Sequence, residues 1–358
     1  MTQKQKIAVV LFNLGGPDSR GAIYPFLVNF FMDPAIIRAP WPVRFLLSRY
    51  IAFKRSRGAA RTAYAKLGFR SPLLSHTEDQ ARALQTALNN ENSTSSYTVH
   101  VSMRYWHPRA AEVVKTITDQ HPDRIIGVPL YPQFSTTTSG SSWDEFQSEL
   151  ARAGLSAIPT QFLCCYPTDP GFVAASADNI RRVYEKLRAE TTRPPRLLFS
   201  AHGLPKKIIA AGDPYQRHCE DSARAIVDGL AIPKLDWQIC YQSRVGPLEW
   251  IGPSTDAAIE KAGADQVPVV IYPHAFVSEH VETLVEIEEE YRHLANLRGV
   301  PGFARAPTVM THPAFIQGLA QQIKNVQDRS GTVLCGAVPC PCGAEQTACP
   351  RKTAILKG

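Results

Sequence analysis

The chain has 358 residues, 44% hydrophobic and 20% charged, with 39 Lys and Arg against 32 Asp and Glu for a net charge of +7. That charged fraction lies below the usual quarter, which argues against a solvated polycation and leaves anionic small molecules, membrane surfaces or nucleic acid as partners for a mild positive charge. No apolar run approaches the ~20 residues of a spanning helix, and eight cysteines in a chain this long argue against a disulfide scaffold.

The start, MTQKQKIAVVLFNLGGP, sets two lysines before an apolar run, as a signal peptide does. The run is short, however, and breaks at Gly15-Gly16-Pro17 without a small-residue cleavage site, so it reads as a first strand (7–12) of a cytoplasmic protein. Further apolar runs lie at 97–103, 124–131, 196–200, 235–241 and 266–272. Between them, TEDQARALQTALNN (77–90) and SADNIRRVYEKLRAE (176–190) carry apolar residues at helical spacing. Strands separated by helices predict an α/β fold with parallel sheets covered by helices.

The order of features also repeats. IAVVLFNLGGP resembles RLLFSAHGLP, VSMRYWHP resembles ICYQSRVGP, and VPLYPQFSTTTSGSS resembles VVIYPHAFVSEHVET. The chain therefore reads as two similar doubly wound halves, one to about residue 165 and one from about 190 to 310. Parallel sheets bind ligands beyond the carboxyl ends of their strands, which singles out Asn13, Arg104, Tyr105, Gln133, Ser135, His202, Gln242, His274 and the segment after Phe276. Gly15-Gly16-Pro17 follows neither a phosphate-loop nor a dinucleotide pattern and reads as a tight turn, and Ser200 lacks the glycine of a nucleophile elbow. Neither nucleotide nor nucleic acid is expected.

Residues 278–291, SEHVETLVEIEEEY, read as a helix with Ser278 as N-cap and Val281, Leu284 and Val285 as its apolar stripe. Glu279, Glu282, Glu286 and Glu289 fall three and four apart and form an acidic ridge with no Lys or Arg in the helix before Arg292. Like charges this close need a reason, such as a cation or a proton to share. Glu282 reads as functional, Glu286 as either functional or solvated, and Glu289 as solvated surface. An imidazole at His202 facing this ridge would make a metal or proton-transfer pair.

Residues 24–57 are aromatic and aliphatic and end in Arg49, Lys54, Arg55 and Arg57. They read either as a buried two-helix hairpin or as an apolar lip with a basic edge, suited to a membrane surface or a flat apolar ligand. At the other end of the chain, Cys335, Cys340, Cys342 and Cys349 are spaced C-x4-C-x-C-x6-C, consistent in order of preference with an iron–sulfur cluster, zinc or free thiols. Cys164-Cys165 offers an alternative ligand, whereas Cys219 and Cys240 read as buried packing cysteines.

Together these segments resemble the ferrochelatases. LFNLGGPDS (11–19), LYPQFSTTTSGSS (130–142), LFSAHGLPKKIIAAGDPY (198–215), YQSRVGPLEWIGPSTD (241–256) and AFVSEHVETLVEIEEEY (275–291) carry the resemblance, which spans about residues 7–325. It implies insertion of Fe2+ into protoporphyrin IX to give protohaem, with no organic cofactor. It sets His202 and Glu282 as catalytic and metal-binding residues, Glu286 as a relay, and Arg104, Tyr105, Gln242, Trp250 and Phe276 as porphyrin contacts.

The implied division is 1–165 as a first Rossmann-like half with the lip at 24–57, 166–310 as a second, 311–330 as a helix packing back on the first, and 331–358 as a Cys-rich tail. Cluster-bearing animal members take a fourth ligand from a position held here by Thr136. A [2Fe–2S] cluster in this chain would therefore draw its fourth ligand from the tail itself, which offers Cys335, Cys340, Cys342 and Cys349, or from the 164–165 pair. A chelatase for another tetrapyrrole, such as coproporphyrin or a sirohydrochlorin, and a non-catalytic haem or metal carrier are the competing functions. The long apolar lip favours a hydrophobic porphyrin, and a carrier has no need of the glutamate ridge. Peripheral contact with the inner face of the membrane through the lip is also expected.

Overall fold

The run Ile7–Phe12 folds into strand β1 (Gln5–Asn13), where no residue from Ile7 to Phe12 is more than 1% exposed. Continuous apolar sequence of this kind is what a strand covered on both faces requires. The computed structural model describes residues 4–90, 94–244, 248–337 and 340–355; Val245, Gly246 and Pro247 of the YQSRVGP motif and Val338 and Pro339 of the tail lie outside them.

The chain divides into two compact units, the first comprising Met1–Cys165 with Leu319–Gly336 and Ala354–Gly358, and the second Tyr166–Gly318 with Ala337–Thr353. In the first, β1 pairs in parallel with β2 (Ser95–Met103) and β3 (Arg124–Pro129), and β4 (Thr160–Cys165) extends the sheet. In the second, β5 (Arg196–His202) pairs in parallel with β6 (Trp237–Gln242) and β7 (Val269–Pro273), with β8 (Phe303–Arg305) at the edge. A last strand, β9 (Val333–Cys335), pairs with β4.

The strand orders are β2-β1-β3-β4-β9 and β6-β5-β7-β8. The same order of first four strands in each sheet is the structural form of the sequence repeat. Both sheets are flanked by helices, as an α/β protein requires, and each repeat of the third motif opens a π-helical turn, at Thr136–Gly140 and at Glu282–Glu290. Strands β4, β8 and β9 escaped the sequence reading: β8 and β9 have three residues each, too few for a hydrophobic period, and β4 carries a cysteine pair in place of β-branched residues.

The segment 24–57 forms two helices, Ile23–Met32 and Trp41–Arg57. The second is not the buried hairpin considered from sequence, because Trp41, Val43, Leu46, Tyr50 and Phe53 are exposed on it. Gly15, at φ +86°, makes the turn after β1, and a side chain there would press on Trp106 N at 3.0 Å, so the Gly15-Gly16 pair serves the backbone. Among the described residues no helix is long and apolar enough to cross a membrane.

Candidate active site

In the second unit the polar residues gather where the strands end. β5 runs buried from Arg196 to Ala201 and delivers His202, half-buried, at its last position. The Tyr215 hydroxyl donates to the His202 carbonyl at 3.0 Å, tying the strand end to the helix Tyr215–Leu230. One strand over, β6 ends at Gln242, level with His202 in register.

The segment after β7 does not form the expected α-helix from Ser278. It enters helix only at Glu282, in a π-helical turn through Glu290 that closes as the Tyr291 N–H donates to the Glu286 carbonyl, before an α-helix from Tyr291 to Leu297. The wider i→i+5 bonding rotates the side chains away from a 3.6 period, so of the expected stripe only Val285 is buried, and Thr283 and Ile287 take the places of half-buried Val281 and Leu284.

The same turn splits the acidic ridge. Glu279 precedes the helix and is buried against Arg305 of β8, which donates to its carboxylate at 2.9 and 3.1 Å, while the Thr308 N–H donates at 2.9 Å. Burial alone would raise the Glu279 pKa, but Arg305 and these donors bring it below the ordinary value. Glu279 is therefore a structural residue, and the missing counter-charge lay 26 positions away in sequence. Glu289 is exposed, as expected of solvated surface.

Glu282 and Glu286 face the strand ends. Glu282 Oε2 lies 3.0 Å from His202 Nδ1 and accepts from Gln242 Nε2 at 3.4 Å, and its Oε1 lies 4.0 Å from His280 Nε2. Glu286 accepts from the Ser243 backbone N–H at 3.0 Å and from the Ser243 hydroxyl at 2.6 Å. Ser243 adopts φ +59°, a left-handed conformation unusual for serine, and so aims both donors at one carboxylate.

The neighbours push the two carboxyls apart. Burial works to raise Glu282, but the His202 charge and hydrogen bond, with help from His280 and Gln242, hold it well below the usual carboxylate range. Glu286 is raised, first by burial and then by the charge on Glu282, which outweigh the Ser243 donors. A carboxylate that stays ionised beside one that holds a proton more readily is an arrangement for moving cations and protons.

Behind this pair runs a buried network. The Ser200 hydroxyl donates to Gln242 Oε1 at 2.7 Å and lies 2.8 Å from Thr255 Oγ1, which leaves the Gln242 amide N–H free to point at Glu282. Ser200, read as strand-end packing, fixes the amide of Gln242. Only the paired register of β5 and β6 reveals this, since the two residues are 42 apart in sequence.

Of the other expected residues, Phe276 stacks at a tilt on His280 with ring centroids 4.7 Å apart, and Trp250 bridges to Pro205. Arg104 and Tyr105 belong to the first unit, where both engage Asp33: Arg104 at 2.9 Å, and the Tyr105 hydroxyl donating at 2.7 Å. Asn13 donates to Thr77 at 2.9 Å. His274 is fully buried with Nε2 2.9 Å from the Cys219 carbonyl, and burial lowers its pKa to about 4, so it is a neutral core residue and not a site residue.

The cysteines separate into two groups. Cys335, on β9, lies with Sγ 3.5 Å from Cys165 Sγ, and Cys164, Cys165 and Cys335 form one buried trio. Cys340, Cys342 and Cys349 form another, their sulfurs within 4.8 Å of one another. β9 places Cys335 in the first sheet, in the first unit. Next to the tail trio, His218 Nε2 lies 3.3 Å from Cys342 Sγ, a neighbour that no local spacing announced.

Comparison with known proteins points in one direction. The family model described as Ferrochelatase matches residues 6–327. A ferrochelatase of Caulobacter vibrioides is 46% identical over 346 residues, covering 97% of each chain. Those of Phenylobacterium zucineum and Pelagibacter ubique are 46% and 41% identical over 345 and 346 residues, each covering 96% of this chain and 98% of its own length. Among solved structures, "SirB from Bacillus subtilis with Fe3+" matches with a TM-score of 0.53 at 12% identity, over 90% of this chain and 96% of its own, a likeness of fold.

Proposed function

We propose, for a chain that belongs to the ferrochelatase family and is a lyase inserting Fe2+ into protoporphyrin IX to give protohaem, that His202, Glu282 and Glu286 are the residues at which metal and protons exchange. The observation that carries this reading is the 3.0 Å contact between His202 Nδ1 and Glu282 Oε2.

Donation of Nδ1–H to an ionised carboxylate selects the imidazole tautomer with a lone pair on Nε2. That lone pair accepts a pyrrole proton from the macrocycle, and the charge on Glu282 stabilises the imidazolium that forms. Both pyrrole N–H protons must leave for each Fe2+ that enters, so a further acceptor is needed. Glu286, whose carboxyl holds a proton more readily than Glu282, receives it and passes it toward exposed Glu289. The Glu282 carboxylate, kept ionised, also attracts Fe2+ as it sheds water.

Porphyrin contacts are assigned to Gln242, Trp250 and Phe276 of the second unit and to Arg104 and Tyr105 of the first, on the strength of the family motifs. The exposed apolar side chains of the helix Trp41–Arg57, with Arg49 and Arg57 stacked on Phe45 and Phe53, support peripheral contact with an anionic membrane surface from the cytoplasm. The tail trio Cys340, Cys342 and Cys349 offers closely set soft donors that suit an iron–sulfur cluster. Such a cluster would supply a one-electron redox centre and a cross-link for the tail, and the proton steps above do not run through it.

The test is anaerobic incubation with Fe2+ and protoporphyrin, followed by porphyrin absorbance, for the wild type, His202→Ala and Glu282→Gln. Loss of turnover in both variants is expected. Full turnover by either one overturns the assignment.

A further inference from the structure

We propose that Thr255 and Ser200 are positioning residues for the reaction: they fix which way the Gln242 carboxamide faces, so that its N–H and not its carbonyl oxygen meets Glu282. The inference rests on the reading that Glu282 serves in metal and proton exchange.

None of Ser200, Thr255 and Gln242 is more than 1% exposed, so each donor and acceptor must find its partner within the protein. The Cys240 thiol donates to the Phe199 carbonyl at 3.6 Å and can act toward Thr255, at 3.4 Å, only as a weak acceptor. The Thr255 hydroxyl has a nearer and better acceptor in Ser200 Oγ at 2.8 Å. With Ser200 Oγ accepting there, its own proton goes to Gln242 Oε1 at 2.7 Å. The carbonyl end of the amide is thereby taken, and Nε2 is turned to Glu282 Oε2 at 3.4 Å. A reversed amide would run every proton the other way, ending on the sulfur of Cys240 and setting Oε1 against the Glu282 carboxylate. Both donors to Glu282, the His202 Nδ1–H and the Gln242 amide, meet on Oε2, which holds the carboxylate in one orientation. Thr255 reaches this place because it opens the helix Thr255–Ala264, whose start is tied to β6 as the Tyr241 N–H donates to the Pro253 carbonyl at 2.9 Å.

The experiment measures kcat and KM on the full chain with Fe2+ and protoporphyrin under anaerobic conditions, for the wild type, Thr255→Val, Thr255→Ser and Glu282→Gln. Isotope-edited NMR of protein labelled at the glutamine side-chain nitrogens reads the Gln242 amide, assigned through its loss in Gln242→Glu. Thr255→Val keeps the shape and removes the proton, and should lower kcat about tenfold, the worth of one hydrogen bond to a charged group, with the protoporphyrin KM unchanged. Thr255→Ser restores the hydroxyl and should restore kcat. In the wild type one Gln242 amide proton should be shifted downfield and protected from exchange with water, a signature that holds even if Thr255→Val fails to fold. Full kcat in Thr255→Val, an equal loss in Thr255→Ser, or a Gln242 amide that exchanges like a water-exposed one overturns the positioning role. Full turnover by Glu282→Gln overturns instead the reading of Glu282, and leaves the amide orientation standing on its NMR signature.

Discussion

His202 Nδ1 lies 3.0 Å from Glu282 Oε2, which joins the last residue of β5 to the first residue of a π-helical turn 80 positions later. The contact couples an imidazole to a carboxylate that its surroundings keep ionised, and it makes the two side chains act as one unit.

Residues that act as a unit are not additive when removed. His202→Ala and Glu282→Gln are each expected to lower turnover by about 10²–10⁴-fold, the usual range for a lost proton-transfer group. The double variant should be scarcely worse than the more damaged single one. Steady-state assays of the three variants check this, and multiplicative losses would mean independent roles.

The pH behaviour follows from the opposed shifts. Glu282 is depressed, so its interactions contribute stability above the ordinary Glu value of ~4.3 and lose it as pH falls through the lower folded value. Glu286 is raised, so its contribution is present below the ordinary value and is lost as pH rises through the higher folded one. Glu282→Gln should flatten the acid limb of stability and bring the Glu286 pKa down toward normal. Denaturation against pH and carboxyl-carbon NMR titration measure the two effects.

Arg305 compensates buried Glu279 and also reaches Glu288 at 3.1 Å. Arg305→Ala leaves a buried carboxylate uncompensated and should cost about 3–5 kcal/mol of stability. Arg305→Ala with Glu279→Gln should recover part of that loss in urea denaturation, because the second change removes the stranded charge.

Gly212→Ala should release the tail. The position combines φ +89° with a Cβ path 2.1 Å from Thr347 Oγ1, so a methyl group both strains the backbone by about 1–2 kcal/mol and displaces residue 347. Limited proteolysis should cut the variant near its C-terminus while the wild type resists.

Leu46 is 69% exposed on the helix Trp41–Arg57. Leu46→Glu combined with Tyr50→Glu should leave stability within about 0.5 kcal/mol per site. The same change should weaken co-sedimentation with vesicles containing phosphatidylserine. Undiminished binding would remove the lip from the membrane reading.

Local information sufficed for the elements that make up the scaffold. Short apolar runs such as 7–12 and 196–200 read as strands covered on both faces, and their repeated order foretold two sheets of matching strand order. His202 and Glu282 stood out as candidates because one ends a buried strand and the other lies beyond one, each in a motif shared with a known family.

The tertiary structure decided what depends on distance through space. A three-residue strand, β9, set Cys335 beside Cys165, and the edge strand β8 brought Arg305 to Glu279. The paired register of β5 and β6 set Ser200 against Gln242, and a helix start carried His218 to Cys342. The π-helical turn turned one apparent acidic ridge into a structural residue, Glu279, and a pair that faces the strand ends, Glu282 and Glu286. Partners of buried charges and thiols are chosen by packing, and sequence spacing carries packing information only within a single regular element.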